Sequence, residues 1–372
     1  MLSHPDKSSR PGGRRRGARL RRTVAVALLG AAVFAAVSRS HELREAATLL
    51  AHPRWGWLVV AVGLEAASML FFARIQQRLL RAGDVEVGLG PMVGITLAGN
   101  ALALSLPGGV AWGAPWVFRR LRRRGADNLL SGWVVLVAGA LGSFALFLVV
   151  VAGVEIAGGQ SLAADARAPL AVLALIPVLV VLGAVLARRW PPAQVALRAV
   201  SRLNASTTFG RWLNGAVATV AARMSEVRLR PRAWAGIGGL AVLNWLNDCA
   251  CLVACVWVVG GSVPWRGVLL AYALSQAAAC LPLVPGGLGL VEGSLAVLLM
   301  SSGMPATIAL ASVVLYRIVS FWVVVPAGWG AWGYIAFAEH RADTRRERSV
   351  RARRTALPVP PLGAAPSLEH AA

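Results

Sequence analysis

Four ionisable residues interrupt long apolar stretches of this 372-residue chain, namely Glu65, Asp248, Glu292 and Arg317. A charged side chain in an apolar interior is costly unless it is paired or lines a wet cavity. Arg317 is the single cation among them, so we expect Glu292 and Arg317 to lie in one polar cavity. They either form a structural ion pair or hold an anionic ligand.

A second polar group lies on one predicted helix. Asn244, Asp248 and Cys251 share a helical face, with Asn247 beside it. This stripe either joins two helices through hydrogen bonds or contacts a substrate, and we favour the first interpretation. Together with Glu65, which has no partner visible in the sequence, Asn244 and Asp248 are candidates for a polar cavity.

Two Pro-Gly-Gly tripeptides, at Pro107–Gly109 and Pro285–Gly287, each separate two short apolar segments. Proline and glycine interrupt a helix at such a point. A helix that starts after the break presents free N–H groups and its positive dipole end, which favours an anion such as phosphate. The alternative is a simple kink. The six candidate residues are Pro107, Gly108, Gly109, Pro285, Gly286 and Gly287.

The composition excludes a soluble protein. Apolar residues make up 57% of the chain and charged residues 15%, with a mean hydropathy of +0.64, whereas soluble domains contain about 25% charged residues. The sequence therefore predicts an all-α polytopic membrane protein with about six full transmembrane helices and two re-entrant helical hairpins. The expected spans are 23–37, 55–73, 128–156, 168–187, 233–259 and 307–337, the first being a short anchor or a cleaved signal segment.

Basic residues are distributed unevenly along the chain. Of the 38 lysines and arginines, 32 lie in segments 1–22, 74–90, 119–124, 188–232 and 338–372. The positive-inside rule then places both tails in the cytoplasm, in a bacterial inner membrane. We expect these segments to bind the anionic lipid surface rather than nucleic acid, with 1–22 and 338–372 disordered. Segment 188–232 forms either a surface amphipathic helix or a helix packed on other loops.

The order of spans predicts an inverted repeat. Three full spans separate the two Pro-Gly-Gly units, and an odd number reverses the second unit relative to the first. Inverted repeats with interrupted helices are typical of transporters. We therefore expect the two tripeptides to meet near the middle of the membrane.

Other chemistries find no support in the sequence. All five histidines lie in predicted loops or tails, and Cys249, Cys251 and Cys255 lack metal-ligand spacing, so we interpret these cysteines as packing residues. There is no phosphate-binding Walker loop. The sequence thus indicates neither a metal nor another cofactor.

The motif from Pro282 to Gly293, with an arginine in the next helix, resembles one typical of a flippase-like membrane family. The best-known members of that family form the transmembrane part of lysylphosphatidylglycerol synthases. The matching residues are Pro285, Gly286, Gly287, Gly289, Glu292 and Arg317. The first unit also resembles the family through Asn100, Pro107–Gly109 and Arg119–Gly125, although Trp112-Gly113-Ala114 stands where many relatives carry an acidic residue. The resemblance covers roughly residues 20–338.

The resemblance implies lipid translocation rather than lipid synthesis. Lysyl transfer in the bifunctional relatives belongs to a separate soluble domain, and 35 residues follow Phe337, which is too short for such a domain. We expect an inner-membrane protein, not an enzyme, that moves an anionic phospholipid or a polyprenyl-phosphate lipid between leaflets. Two alternatives remain: a membrane enzyme acting on a lipid phosphate, and a non-catalytic partner in an envelope-assembly complex. The sequence identifies no protein partner.

Overall fold

The computed structural model describes residues 45, 48, 49, 51, 53–106, 109–158, 230–279 and 285–356. These residues form α-helices and the turns that join them, with no strand among them. Four helices or continuous helical runs in the described part are long and apolar enough to cross a membrane, at Trp55–Arg81, Asn128–Ala157, Pro231–Val258 and Ala306–Arg341. The prediction of an all-α polytopic membrane protein is confirmed. The expected spans 23–37 and 168–187, the tail 1–22 and nearly all of segment 188–232 lie outside the described residues.

The first half of the described chain contains four helices. They are α1 (Trp55–Arg81), α2 (Leu89–Ser105), α3 (Val110–Arg123) and α4 (Asn128–Ala157). Local signals set their ends: the Asp127 side chain accepts a hydrogen bond from the N–H of Leu130 at 2.6 Å and so caps α4. Helix α4 ends at Gly158 in the left-handed conformation.

The second half contains the other interrupted unit. Its helices are α5 (Pro231–Val258), α6 (Val268–Ala279), α7 (Leu290–Ser301), α8 (Ala306–Arg317) and α9 (Val324–Ala356). A 3₁₀ turn over Pro285–Gly287 precedes α7. A π-helical segment, Ile318–Val323, joins α8 to α9.

Four of the described helices are short and do not continue into a longer run. Helices α2 and α3 have 17 and 14 residues, and α6 and α7 have 12 each. At 1.5 Å per residue they extend about 18–25 Å, less than the roughly 30 Å of the hydrocarbon core. Helix α2 packs against α3, and α6 packs against α7. Each Pro-Gly-Gly unit therefore belongs to a short helical hairpin, and the relative inversion of the two hairpins stays a prediction.

Two apolar cores correspond to the two hairpins. One core is built from α1 to α5 around Trp133, Leu121 and Met92. The other is built mainly from α5 to α8, around Tyr272, Leu252 and Tyr316. Helix α5 contributes to both cores and packs along α1, so these two helices form the common support of the hairpins.

The two ends of the molecule differ in composition. Tryptophans meet at one end, where the ring centroids of Trp57 and Trp257 are 4.5 Å apart and those of Trp257 and Trp265 are 6.1 Å apart. Arg120 and Arg123 form ion pairs with Glu339 at the opposite end. We call these the tryptophan end and the arginine end. Segments 119–124 and 338–372, which the positive-inside rule assigns to the same side of the membrane, thus meet at the arginine end.

One sequence-based expectation is wrong for part of the C-terminal segment. Residues 338–372 were expected to be disordered, yet α9 continues to Ala356. The helix continues because it extends an existing span, which removes the cost of nucleation, and because its alanines and arginines are good helix formers. Residues 357–372 lie outside the described part.

Candidate functional site

The tip of the second hairpin is a tight turn built on glycine. Gly286 has φ +60° and ψ +12°, the left-handed region in which side chains are strained. A Cβ atom at this position would lie 3.0 Å from the carbonyl oxygen of Leu104 and would overlap the ring of Phe321. The tip therefore fits closely between the last turn of α2 and the π-helical segment. The side chain of Pro285 lies outside the described part, whereas Gly287 completes the turn.

Glu292 caps the N-terminus of α7. Its Oε2 accepts a hydrogen bond from the backbone N–H of Gly289 at 2.6 Å, and Gly289 is the N-cap of the helix. A carboxylate in the first turn also complements the positive end of the helix dipole. The local role of Glu292 is therefore to satisfy the start of this short helix.

Arg317 connects the last long helical run to both sides of the tip. Its Nε donates to Oε1 of Glu292 at 2.6 Å, and its Nη2 donates to the carbonyl oxygen of Gly286 at 2.9 Å. Its guanidinium carbon lies 4.7 Å from the centroid of the Phe321 ring. The side chains of Arg317 and Glu292 are 10% and 28% exposed. The expected pair is thus present, and it is more open on the carboxylate side.

The first hairpin is joined by close backbone packing. A Cβ atom at Gly109 would overlap the carbonyl group of Ala103, and one at Gly113 would lie 2.7 Å from the carbonyl oxygen of Gly99. Helix α3 then ends in an arginine-rich turn. Pro107 and Gly108 lie outside the described residues. The contact of Gly286 with Leu104 places the second tip beside the last turn of α2.

The polar face of α5 packs on α1. Ser68 donates to the side-chain oxygen of Asn244 at 3.2 Å. This bond places Glu65, one turn before Ser68, at the level of Asp248, one turn after Asn244. Asn247 donates instead to the Leu243 carbonyl of its own helix. Glu65 is 4% exposed. These bonds agree with the interpretation of this face as a contact between helices.

Three polar residues around Asp248 were missed by the sequence reasoning. Tyr272 and Gln276 donate to Oδ2 of Asp248 at 2.7 and 2.9 Å, and Tyr316 donates to Oδ1 at 2.9 Å. A signal was available: the whole chain has three tyrosines, and two of them lie within otherwise apolar helices. Tyr272 and Gln276 are also four residues apart, hence on one helical face. We call Glu65, Asp248, Tyr272, Gln276 and Tyr316 the carboxyl cluster.

Three cysteines of the described residues lie on α5. Cys249, Cys251 and Cys255 are free and buried. In the same part of the chain no group of three or more His, Cys, Asp or Glu side chains is placed to hold a metal ion. Burial among apolar neighbours agrees with a packing role for these cysteines.

Comparison with known proteins identifies the family. Residues 23–328 match the family model described as the lysylphosphatidylglycerol synthase TM region. A UPF0104 membrane protein from Methanothermobacter thermautotrophicus (strain Delta H) is 32% identical over 89 residues. That alignment covers 24% of this chain and 27% of the relative, so the chain spans about a quarter of the length of the curated relative it matches. Since the family match extends over more than half of the sequence and includes both hairpins, the chain belongs to the lysylphosphatidylglycerol synthase TM region family.

Proposed function

We propose that this membrane protein binds the phosphate of an anionic lipid beside the tip of the second hairpin and moves the lipid between leaflets. The observation that carries the proposal is the position of Arg317, which lies within a membrane-spanning run and reaches the tip turn. The phosphate belongs either to a phospholipid headgroup or to a polyprenyl-phosphate carrier. Both present the same group to the arginine.

The donors of Arg317 support an anion at this place. A guanidinium has five N–H groups, and the bonds to Glu292 and Gly286 use two of them. Three remain for an incoming oxyanion, and the planar fork of arginine matches phosphate in a bidentate manner. A phosphate can displace Oε1 of the partly exposed Glu292 from Arg317. The carboxylate then keeps the hydrogen bond that its Oε2 accepts from Gly289.

The contact between hairpins supports movement. Gly286 touches the end of α2, so a displacement of one tip changes the environment of the other. The π-helical segment directly follows Arg317, and such segments often lie at functional sites. A lipid phosphate that replaces Glu292 on Arg317 would release the constraint between α7 and α8.

We further propose that the protein translocates its lipid without hydrolysing it. The described residues of the second tip supply a single carboxylate, Glu292, which is already bonded to Arg317. Phosphate-ester hydrolysis needs an activated nucleophile as well as a charge clamp. Release of inorganic phosphate from a lipid phosphate by the purified protein would contradict this part of the proposal.

Leaflet exchange in proteoliposomes tests the function. Full-length protein should exchange fluorescent phosphatidylglycerol or a fluorescent polyprenyl phosphate between leaflets, and comparison of the two probes separates the lipid sources. Arg317→Lys should lose most of the exchange, because lysine keeps the charge but loses the fork. The double variant Arg317→Ala/Glu292→Ala should fold and stay inactive. Full exchange by that folded double variant would leave the pair a structural role alone.

The location of the chain is also proposed. We place it in a bacterial inner membrane with the arginine end and both termini in the cytoplasm, where the basic segments bind anionic lipid. Single cysteines at Ser201 and Ser349, introduced in a cysteine-free background, should escape labelling from outside intact cells. A cysteine at Ser262 should be labelled. Labelling at Ser201 would overturn this topology.

A further inference from the structure

Two carboxyl groups meet in the interior of the carboxyl cluster. Glu65 lies in the middle of α1 and Asp248 in the middle of α5. The N–H of Arg54 at the start of α1 donates to the carbonyl of Val258 at the end of α5, so the two helices run antiparallel. Because Ser68 donates to Asn244, Glu65, one turn before Ser68, lies at the level of Asp248, one turn after Asn244. Both helices are long enough to span a membrane. Two neighbouring carboxylates with no cation beside them cannot both stay charged in an apolar interior, so such a pair holds a shared proton.

The surroundings of Asp248 favour the charged form at that residue. Its two oxygens accept three hydrogen bonds, from Tyr272, Gln276 and Tyr316. Glu65 differs, because no N–H or O–H group of the described residues donates to its buried Oε2. A proton carried by the pair would satisfy that oxygen. A shared proton would therefore supply the hydrogen bond that Oε2 of Glu65 receives from no other described group.

No positive charge neutralises the pair within the described residues. Neither Glu65 nor Asp248 forms an ion pair there, whereas Glu292 and Glu339 do. Helix α2, which packs against α1, has no titratable residue, and α4 carries Asp127 and Glu155 at its two ends. The remaining titratable groups on the elements around the pair are Arg232, Cys249, Cys251 and Cys255 on α5, Tyr272 on α6, Tyr316 and Arg317 on α8, and Arg74, Arg78 and Arg81 in the second half of α1.

We propose that the Glu65–Asp248 pair is a proton-binding site that couples proton movement to the lipid exchange proposed above. The proton passes between the two carboxyl oxygens and leaves to water or arrives from it, and no other bond forms or breaks. This inference rests on the proposed function for its coupling part. The proton site itself stands on the geometry of the cluster.

Tyr316 connects the carboxyl cluster to the proposed lipid site. Tyr316 donates to Asp248, and the next residue, Arg317, holds Glu292 and Gly286. Loss of charge at Asp248 weakens the bond from Tyr316, because hydrogen bonds to charged acceptors are the stronger ones. That change acts at the last turn of α8, directly before the π-helical segment. Protonation of the cluster can therefore shift the arginine that grips the hairpin tip.

Infrared spectroscopy tests the proton site without any lipid assay. The purified full-length protein should show the carbonyl band of a protonated carboxylic acid, and this band should change reversibly with pH. Both Glu65→Gln and Asp248→Asn should remove it. Glu86→Gln, which changes a carboxyl that is 84% exposed, is the matched control and should leave the band intact. A band that ignores pH, or that survives both variants, would overturn the proton site.

A pH gradient across proteoliposomes tests the coupling. The readout is the steady-state ratio of fluorescent phosphatidylglycerol between leaflets, not the rate. One pH unit can shift this ratio by at most about tenfold per coupled proton, and a protein that exchanges lipid without protons leaves it unchanged. We expect a shift for the native protein and for Glu86→Gln. In Glu65→Gln the ratio should no longer respond to the gradient, whatever exchange remains.

The outcomes separate the two proposals. If the native protein exchanges lipid but the leaflet ratio does not respond to the pH gradient, the coupling is wrong and the proposed function stands. No exchange under any condition overturns the proposed function and the coupling together. In that case the infrared band alone decides whether Glu65 and Asp248 bind a proton.

Discussion

The two short hairpins look alike in hydropathy and differ in what holds their tips. In the first, α2 and α3 approach through glycine and alanine, with Gly109 against Ala103 and Gly113 against Gly99. In the second, the turn is held by an arginine from another helix, which bonds to Glu292 and Gly286. Packing of small residues tolerates no rearrangement without a clash. A bonded ion pair can exchange partners, so the second tip is the one suited to a ligand.

The largest effect should follow from loss of Arg317. Arg317→Ala leaves the carboxylate of Glu292 half-buried and without its cation, which should cost about 3 kcal/mol of unfolding free energy. Thermal unfolding in detergent measures the loss. Arg81→Ala, which removes an arginine 65% exposed beside Glu86, is the control and should change stability by less than about 0.5 kcal/mol. Equal losses in the two variants would contradict a special role for the second tip.

The next effect should come from the first tip. Gly109→Ala places a methyl group onto the Ala103 carbonyl, and backbone cannot move aside as a flexible side chain can. We expect a destabilisation of about 2 kcal/mol, seen as a lower yield of folded protein by size-exclusion chromatography. Gly90→Ala in α2 meets open space and should be neutral or slightly stabilising. A neutral Gly109→Ala would show that the hairpin is looser than its packing suggests.

A smaller effect is expected at the second tip. Gly286→Ala strains a backbone with φ +60°, at a cost of about 1–2 kcal/mol, and pushes on the ring of Phe321. Because this ring stacks on Arg317, lipid exchange should fall more than stability does. Gly293→Ala on α7 meets nothing within 4 Å and is the matched control. Equal losses of exchange and folded yield would reduce this turn to a structural element.

The smallest effect should be found at the arginine end. Glu339→Gln removes the negative charge that pairs with Arg120 and Arg123, and the side chain of Arg120 is 13% exposed. We expect a loss of about 1 kcal/mol in unfolding free energy, reduced at high salt because charge pairs near the surface are screened. The melting temperature at low and high salt measures it. A loss independent of salt would indicate that packing of α9, not charge, holds this end.

Several features followed from the sequence because they depend on local composition. Four of the expected spans are long apolar helices, since a run of about twenty apolar residues can satisfy its backbone only as a helix in lipid. The short hairpin helices follow from the Pro-Gly-Gly breaks. The pairing of Glu292 with Arg317 was expected because so few charges lie in the apolar stretches. Disorder over 338–356 was wrong, because a basic composition does not prevent a helix from extending an existing span.

The carboxyl cluster shows what local composition could not provide. Glu65 had no visible partner, because Asp248 lies more than 180 positions away in the chain and no spacing rule connects α1 with α5. Tyr272, Gln276 and Tyr316 come from two further helices. Their convergence depends on how the helices are rotated about their axes, which is set by packing against neighbours.

The sequence by itself determined that the chain is a helical membrane protein with two interrupted units and very few charges in its spans. It did so because the length of an apolar run, and the backbone hydrogen bonds that this run must form within a helix, depend on consecutive residues. Tertiary structure alone decided that Glu65 lies at the level of Asp248, that Gly286 lies against Leu104, and that Arg317 bonds to a carbonyl as well as to Glu292. These contacts join residues distant in the chain, and their free energies depend on distance and burial, which no run of neighbouring residues specifies.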